Sequence, residues 1–187
     1  MSKSAIIFHG TLGSPDGNWF PWLGEQLESI GYEVYIPKFP TPENQTITNW
    51  VQVVSTVPIA IDDQTVLVGH SSGCLAICGL LQETRAKVKA AMLAAPFLGP
   101  IGNTEYDSYN HAFNEYEYDW KLISSLASFY VFRGSDDPYV PAENGEKLAM
   151  LLKAEEIIIP GGKHLNNEPD IQYTKFPLLY EKIETLD

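Results

Sequence analysis

Thr65-Val66-Leu67-Val68-Gly69-His70-Ser71-Ser72-Gly73 is the stretch that decides the fold of this 187-residue chain. The first four residues read as a buried strand. Gly69 to Gly73 then has the Gly-x-Ser-x-Gly form of a nucleophile elbow, a sharp turn from strand into helix. A serine on such a turn is forced into an uncommon backbone conformation, and bulky flanking residues would collide with the neighbouring strand and helix. Gly69 and Gly73 leave that space free, so Ser71 is expected to project above the edge of a sheet.

On both sides of this stretch, apolar runs alternate with helical patterns along the whole chain. Strands are expected at Ala5–His9, Glu33–Pro37, Thr65–Gly69, Val88–Ala94, Ser128–Arg133 and Glu155–Ile159. They are short and rich in Val, Ile, Leu and Phe, with little alternation, as suits parallel strands covered on both faces. Helices are expected at Trp19–Ile30, Ile47–Val57, Ser72–Glu83, Ala142–Lys153 and Ile171–Leu186. Thr46 or Thr48 supplies a cap for the second, and Gly31 a stop for the first. This alternation implies right-handed crossovers and a doubly wound α/β sheet. No repeat or linker divides the chain, so residues 1–187 read as one domain.

Residues 97–120 break the pattern, being too long for an ordinary connection. The segment has no Lys or Arg, five acids (Glu105, Asp107, Glu115, Glu117, Asp119) and many aromatics, among them Tyr106, Tyr109, Phe113, Tyr116, Tyr118 and Trp120. So many aromatics argue for packing. Two expectations follow: a lid over the C-terminal ends of the strands, where ligands bind in open α/β sheets, or a packed surface excursion.

Apolar residues make up 44% of the chain and charged residues 19%, ordinary for a globular protein. The net charge of −12 argues against nucleic acid as a partner, since binding phosphates needs a basic surface. No apolar run reaches membrane-spanning length and no leader is recognised, so a cytoplasmic protein is expected. Cys74 and Cys78, four apart on one helix face, read as small buried hydrophobes; two ligands cannot close a zinc site. No metal or cofactor is expected.

A serine hydroxyl is a weak nucleophile until a base takes its proton, and the base needs a carboxylate to fix its tautomer. An elbow fold delivers these groups in the order Ser, acid, His. His9 precedes the serine, His70 adjoins it and should point away, and His111 lies in the acidic excursion. His164, in the loop Pro160-Gly161-Gly162-Lys163-His164 after the last strand, is therefore the base. Asp136 and Asp137 stand at the end of the preceding strand, and neighbouring side chains point in different directions. Asp137 is chosen from its spacing, Gly134-x-x-Asp137-x-x-Val140, which is usual for the acid turn of hydrolases with this elbow. Asp136 is left as a turn-stabilising or solvated residue. The oxyanion donors are the backbone N–H of Ser72, at a helix N-terminus, and of Thr11, in the loop after the first strand. Gly10, Gly13 and Gly17 also suggest a phosphate loop, but no Gly-Lys-Ser/Thr completes one.

Other marks lie outside these residues: Trp19-Phe20-Pro21-Trp22-Leu23, then Phe39-Pro40-x-Pro42 followed by Trp50. With the 69–73 motif, the Asp136-Asp137 turn and the late histidine loop, the chain resembles a family over nearly all its length. That family is the small α/β-hydrolase-fold serine hydrolases that include YdeN and the retinoblastoma-binding protein nine group. The resemblance implies an α/β-hydrolase fold, a three-layer αβα sandwich with a mostly parallel sheet of about six strands. It implies that Ser71, Asp137 and His164 take the triad positions. The family loop usually reads Gly-His-Phe where this chain has Lys163-His164-Leu165, a departure that bears on the pocket beside the base.

The reading that follows is a serine hydrolase, carboxylesterase-like, cleaving small ester or amide bonds through an acyl-enzyme. Its partner would be a small acyl substrate, with neutral or cationic ones favoured. The rivals are a protein-interaction module that keeps the fold without the chemistry, and an aminopeptidase or acyltransferase using the same triad.

Overall fold

Each of the six apolar runs forms a strand in the computed structural model, which describes residues 3–168 and 173–186. The strands are β1 (Lys3–Phe8), β2 (Tyr32–Tyr35), β3 (Thr65–His70), β4 (Ala90–Ala94), β5 (Ser128–Gly134) and β6 (Glu155–Ile159). They form one sheet in the order β2-β1-β3-β4-β5-β6, and all five pairings are parallel. The register sets Phe8 opposite Gly69, and His70 opposite Ala94.

Some ends differ from expectation for local reasons. β2 stops at Tyr35, two residues short of Pro37, which has no N–H to give a ladder. β4 starts at Ala90, because Val88 N–H turns aside to Leu126 O at 2.8 Å.

The helices between them are α1 (Phe20–Ser29), α2 (Ile47–Val54), α3 (Ser72–Thr84), the short α4 (Thr104–Tyr109), α5 (His111–Asn114) and α6 (Trp120–Ile123), then α7 (Ala142–Leu152) and α8 (Pro177–Glu184). Thr46 caps α2 by accepting from Asn49 N–H, and Gly31, at φ +89°, follows α1. The last helix was expected from Ile171. It begins at Pro177, whose ring suits a first helical position and keeps Phe176 (φ −136°, ψ 71°) out of the helix; residues 171 and 172 lie outside the described residues. The three short helices in and at the end of the 97–120 excursion have four to six residues, too few for an apolar period to show, and α4 and α6 each start on a polar cap. Asn103 Oδ1 accepts from Glu105 and Tyr106 N–H, and Asp119 Oδ1 from Leu122 N–H.

Alternate strand residues feed two apolar layers. Ile6, Phe8, Leu67, Leu93 and Val131 face one way, onto Trp50 of α2, Leu75 and Ile77 of α3 and Leu148 of α7. Ala5, Ile7, Val66, Val68 and Met92 face the other, onto Leu23 and Leu27 of α1 and Leu179 and Ile183 of α8. Helices therefore cover both faces, the condition that lets a parallel sheet be apolar on every residue. Cys74 and Cys78 are buried free thiols in the first layer. Among the described residues no helix is long and apolar enough to cross a membrane.

β1 is followed by its neighbour on one side, β2, and the chain then crosses to its other side, β3. The strand order reverses between β1 and β3, which places the crevice of an open α/β sheet at their C-terminal ends.

Candidate active site

β3 and α3 meet at Ser71, which has φ 53° and ψ −121°, a region that costs a non-glycine residue about 1–3 kcal/mol. The close approach of backbone to backbone holds it there. A Cβ on Gly73 would stand 2.7 Å from Phe8 O and 2.8 Å from His9 O, so only glycine lets α3 start so near β1. Ser71 N–H donates to Ala94 O at 2.9 Å. Ser72 is the first residue of α3, where backbone N–H groups have no partner within the helix.

The loop after β1 lies against this turn. Buried His9 accepts from Phe39 N–H through Nε2 at 3.0 Å, so its proton sits on Nδ1 and donates to Gly10 O at 2.9 Å. Burial lowers its pKa. Thr11 is tied down by a polar network of residues far apart in the chain. Leu12 N–H donates to Thr41 Oγ1 (2.8 Å), and Thr41 O–H to Gln45 Oε1 (2.6 Å). The two protons of Gln45 Nε2 go to Thr11 Oγ1 (2.9 Å) and Asn110 Oδ1 (2.8 Å). Thr11 has one hydroxyl proton. It goes to Asn110 Oδ1 at 2.7 Å, an atom that can only accept, and Ser72 O–H then donates to Thr11 Oγ1 at 2.9 Å. Every proton is used once. The network braces Thr11 and Ser72 against each other and ties both to Asn110 of the excursion. Gln45 and Asn110 sit in segments with no motif, and Thr41 is the unspecified position of Phe39-Pro40-x-Pro42, so only the folded chain shows their part.

The histidine loop follows β6. His164 donates from Nδ1 to Asp137 Oδ2 at 2.7 Å, with both side chains nearly buried. Asp137 Oδ1 accepts from Tyr139 and Val140 N–H at 2.8 and 3.0 Å, which fixes the carboxylate. With Nδ1 occupied as a donor, His164 Nε2 keeps its lone pair. Of the two adjacent aspartates, Asp137 meets His164. Asp136 holds the loop instead: Oδ1 accepts from Lys163 N–H at 3.0 Å and Oδ2 pairs with Lys163 Nζ at 2.7 Å. That pairing lowers the Asp136 pKa and raises that of Lys163. Lys163, at φ +52°, occupies the place of the family glycine, and its bonds to Asp136 hold that left-handed conformation.

Two further contacts hold the loop. Trp19 Nε1–H donates to Leu165 O at 2.8 Å, and His70 Nε2–H to His164 O at 2.9 Å. His70 is expected to point away from the Ser71 side chain. It is fully buried under His164 with the rings 5.0 Å apart, because residue 70, one before the elbow serine, points beneath the histidine loop rather than into solvent. Burial, then the neighbouring His164, pushes its pKa down to about 3, so it is a neutral donor. His111 is exposed.

Ser71 and His164 open onto one cavity of about 250 Å³, at the small end for ligand pockets. Thr11 lines it too, and the excursion supplies part of its wall through Phe97, Ile101, Tyr106 and Asn110. The wall residues Asn18, Asn110 and Asn166 are polar but neutral. Of the excursion's acids, Asp107 accepts from Ile101 and Gly102 N–H, Glu105 from Tyr109 O–H, and Asp119 caps α6.

A six-stranded parallel sheet with this elbow at its switch point is an α/β-hydrolase fold. The model of the serine hydrolase family matches residues 5–185, and the chain belongs to that family. It is 27% identical to YdeN of Bacillus subtilis (strain 168) over 184 residues, covering 97% of this chain and 94% of YdeN. The crystal structure of the ydeN gene product superimposes with a TM-score of 0.88, covering 99% of this chain and 98% of that one. The serine hydrolase RBBP9 of Rattus norvegicus is 23% identical over 166 residues, 87% of each chain.

Proposed function

We propose that the protein hydrolyses small carboxylic esters or amides through Ser71, His164 and Asp137. The observation that carries this reading is the bond from His164 Nδ1 to Asp137 Oδ2, in a cavity that Ser71 also lines. That bond leaves His164 Nε2 as the acceptor for a serine proton.

In the first half-reaction, Ser71 Oγ bonds to the acyl carbon while its proton passes to His164 Nε2. The carbonyl π electrons move onto oxygen, where Thr11 and Ser72 N–H receive the charge. Collapse of the tetrahedral intermediate breaks the bond to the leaving group, which takes the proton from Nε2. Water then repeats the sequence on the acyl-enzyme: its proton goes to His164, its oxygen to the acyl carbon, and Ser71 is released with the proton. Asp137 stays a carboxylate and stabilises the imidazolium at each stage.

A carboxylesterase-like preference follows from the cavity, whose small volume and apolar Phe97, Ile101 and Val140 suit a short acyl chain. The neutral amides on its wall and the chain's net charge of −12 favour neutral or cationic substrates over anions. Two buried free thiols suit work in a reducing cytoplasm.

The test is labelling by a fluorophosphonate together with hydrolysis of short acyl esters, in the wild type and in Ser71→Ala. The variant is expected to lose labelling and about three to six orders of magnitude in rate while its melting temperature holds. Hydrolysis retained in Ser71→Ala would overturn the mechanism. A wild type that neither labels nor hydrolyses would point to an interaction module on this fold.

A further inference from the structure

Leu12 stands in a conformation that suits glycine and not leucine. Gly13 N–H donates to Gly10 O at 3.0 Å, closing a β-turn in which Leu12 is the third residue, at φ +60°. That is the position of a type II turn which demands a positive φ and where glycine is free of strain. Its side chain joins neither core layer and is 52% exposed. Nothing in the folding of the loop asks for an apolar side chain there, since Leu12 N–H makes the bond to Thr41 whatever the side chain is.

The side chain is placed for another purpose. Leu12 and Tyr139 are two of the five large apolar residues left most exposed among the described residues, and both line the cavity that holds Ser71 and His164. Their exposure marks the mouth, whereas Phe97, also lining the cavity, is buried. Tyr139 stacks edge-on against the His164 ring at 5.3 Å. His164 Nε2 hands its proton to the leaving oxygen, so the alcohol of an ester departs over His164 and beside Tyr139.

From this geometry we infer that Leu12 is a specificity-determining residue. With Tyr139 it grips an apolar alkyl or aryl group on the alcohol side of the substrate, leaving the inner cavity to the short acyl chain. The inference rests on the proposed ester hydrolysis and names its substrate class: short-chain acyl esters of apolar alcohols.

The test uses acetates of ethanol, 1-butanol and 1-hexanol. Their leaving groups have nearly equal basicity, so only apolar area changes along the series. In the wild type kcat/KM is expected to rise about twofold per methylene, half of the free energy of full burial. Leu12→Gly and Leu12→Asn both fit a positive φ. Each is expected to flatten that slope to below about 1.3-fold per methylene, with a melting temperature equal to or above wild type. A slope unchanged in both variants, or a flat slope in the wild type, would overturn the inference while ester hydrolysis stood. A fall of several degrees in both variants would also overturn it, by showing that the side chain serves the fold. Failure of the underlying reading looks different: hydrolysis of the acetates that survives Ser71→Ala, or no hydrolysis at all, and the latter removes both.

Discussion

The two halves of the site mix backbone and side-chain contacts in different proportions. Ser71 and Thr11 sit at the ends of β3 and β1, two central strands, with every residue of β3 buried. The position of Ser71 follows from backbone packed against backbone, as at Gly73 against Phe8 and His9, and Thr11 is braced by Gln45 and Asn110. His164 and Asp137 sit in loops after β6 and β5, and β6 is an edge strand with much of its surface exposed. This half has one close backbone approach, at Gly134, where a Cβ would stand 2.0 Å from Lys163 O, and is otherwise held by separate side-chain bonds from far along the chain: Trp19 to Leu165, His70 to His164, Asp136 to Lys163. The serine half is therefore rigid by construction and intolerant of added atoms. The histidine half is as tight at Gly134 but adds side-chain contacts that can be removed one at a time.

The largest effect should come from the histidine half and be almost purely catalytic. Asp137→Asn is expected to lower kcat by about 10⁴, since an amide there cannot hold the working tautomer of His164. Asp136→Asn keeps an acceptor for Lys163 N–H and loses only an exposed ion pair, so kcat should fall no more than a few-fold. Steady-state kinetics on one ester separates the two, and equal losses would show that the aspartates share the role.

Stability should divide the halves more directly. In Gly73→Ala the new methyl meets two backbone oxygens that cannot yield, which should cost about 3 kcal/mol or more, the upper end for overpacking. Trp19→Phe leaves Leu165 O without its donor and should cost about 1–3 kcal/mol, with kcat falling as the histidine loop loosens. Urea titration ranks them; a larger loss in Trp19→Phe would erase the contrast drawn between the halves.

The smallest effect is a pH dependence at the join. His70 is protonated at ordinary pH values below about 6.5 when unfolded, but in the folded chain only near 3. Between those values the unfolded state holds a proton that the native state lacks, so stability falls as pH falls through that window. Going from pH 7 to 5 this amounts to about 2 kcal/mol, and His9, also lowered by burial, adds in the same direction. His70→Gln keeps a donor for His164 O without the titration. Its urea midpoint should drop less between pH 7 and 5 than that of wild type, and an equal drop would assign the effect to other groups.

The chain's own letters determined the sheet, the elbow and the order of the candidate groups. Strand identity lies in short apolar runs such as Thr65–Val68, the elbow lies in five consecutive residues, and both are local, so a linear reading reaches them. The family, too, was legible from such stretches, Trp19–Leu23 and Gly69–Gly73 among them. Tertiary structure alone decided what joins the pieces. Gln45 and Asn110 belong to no motif, Thr41 is only the unspecified position of Phe39-Pro40-x-Pro42, and nothing local marks His70 as a tie to the histidine loop. Their roles arise from hydrogen bonds between residues up to 99 positions apart, as from Thr11 to Asn110. A hydrogen bond of that span is settled by the folded backbone bringing donor and acceptor within about 3 Å, a distance that no local pattern of residues encodes.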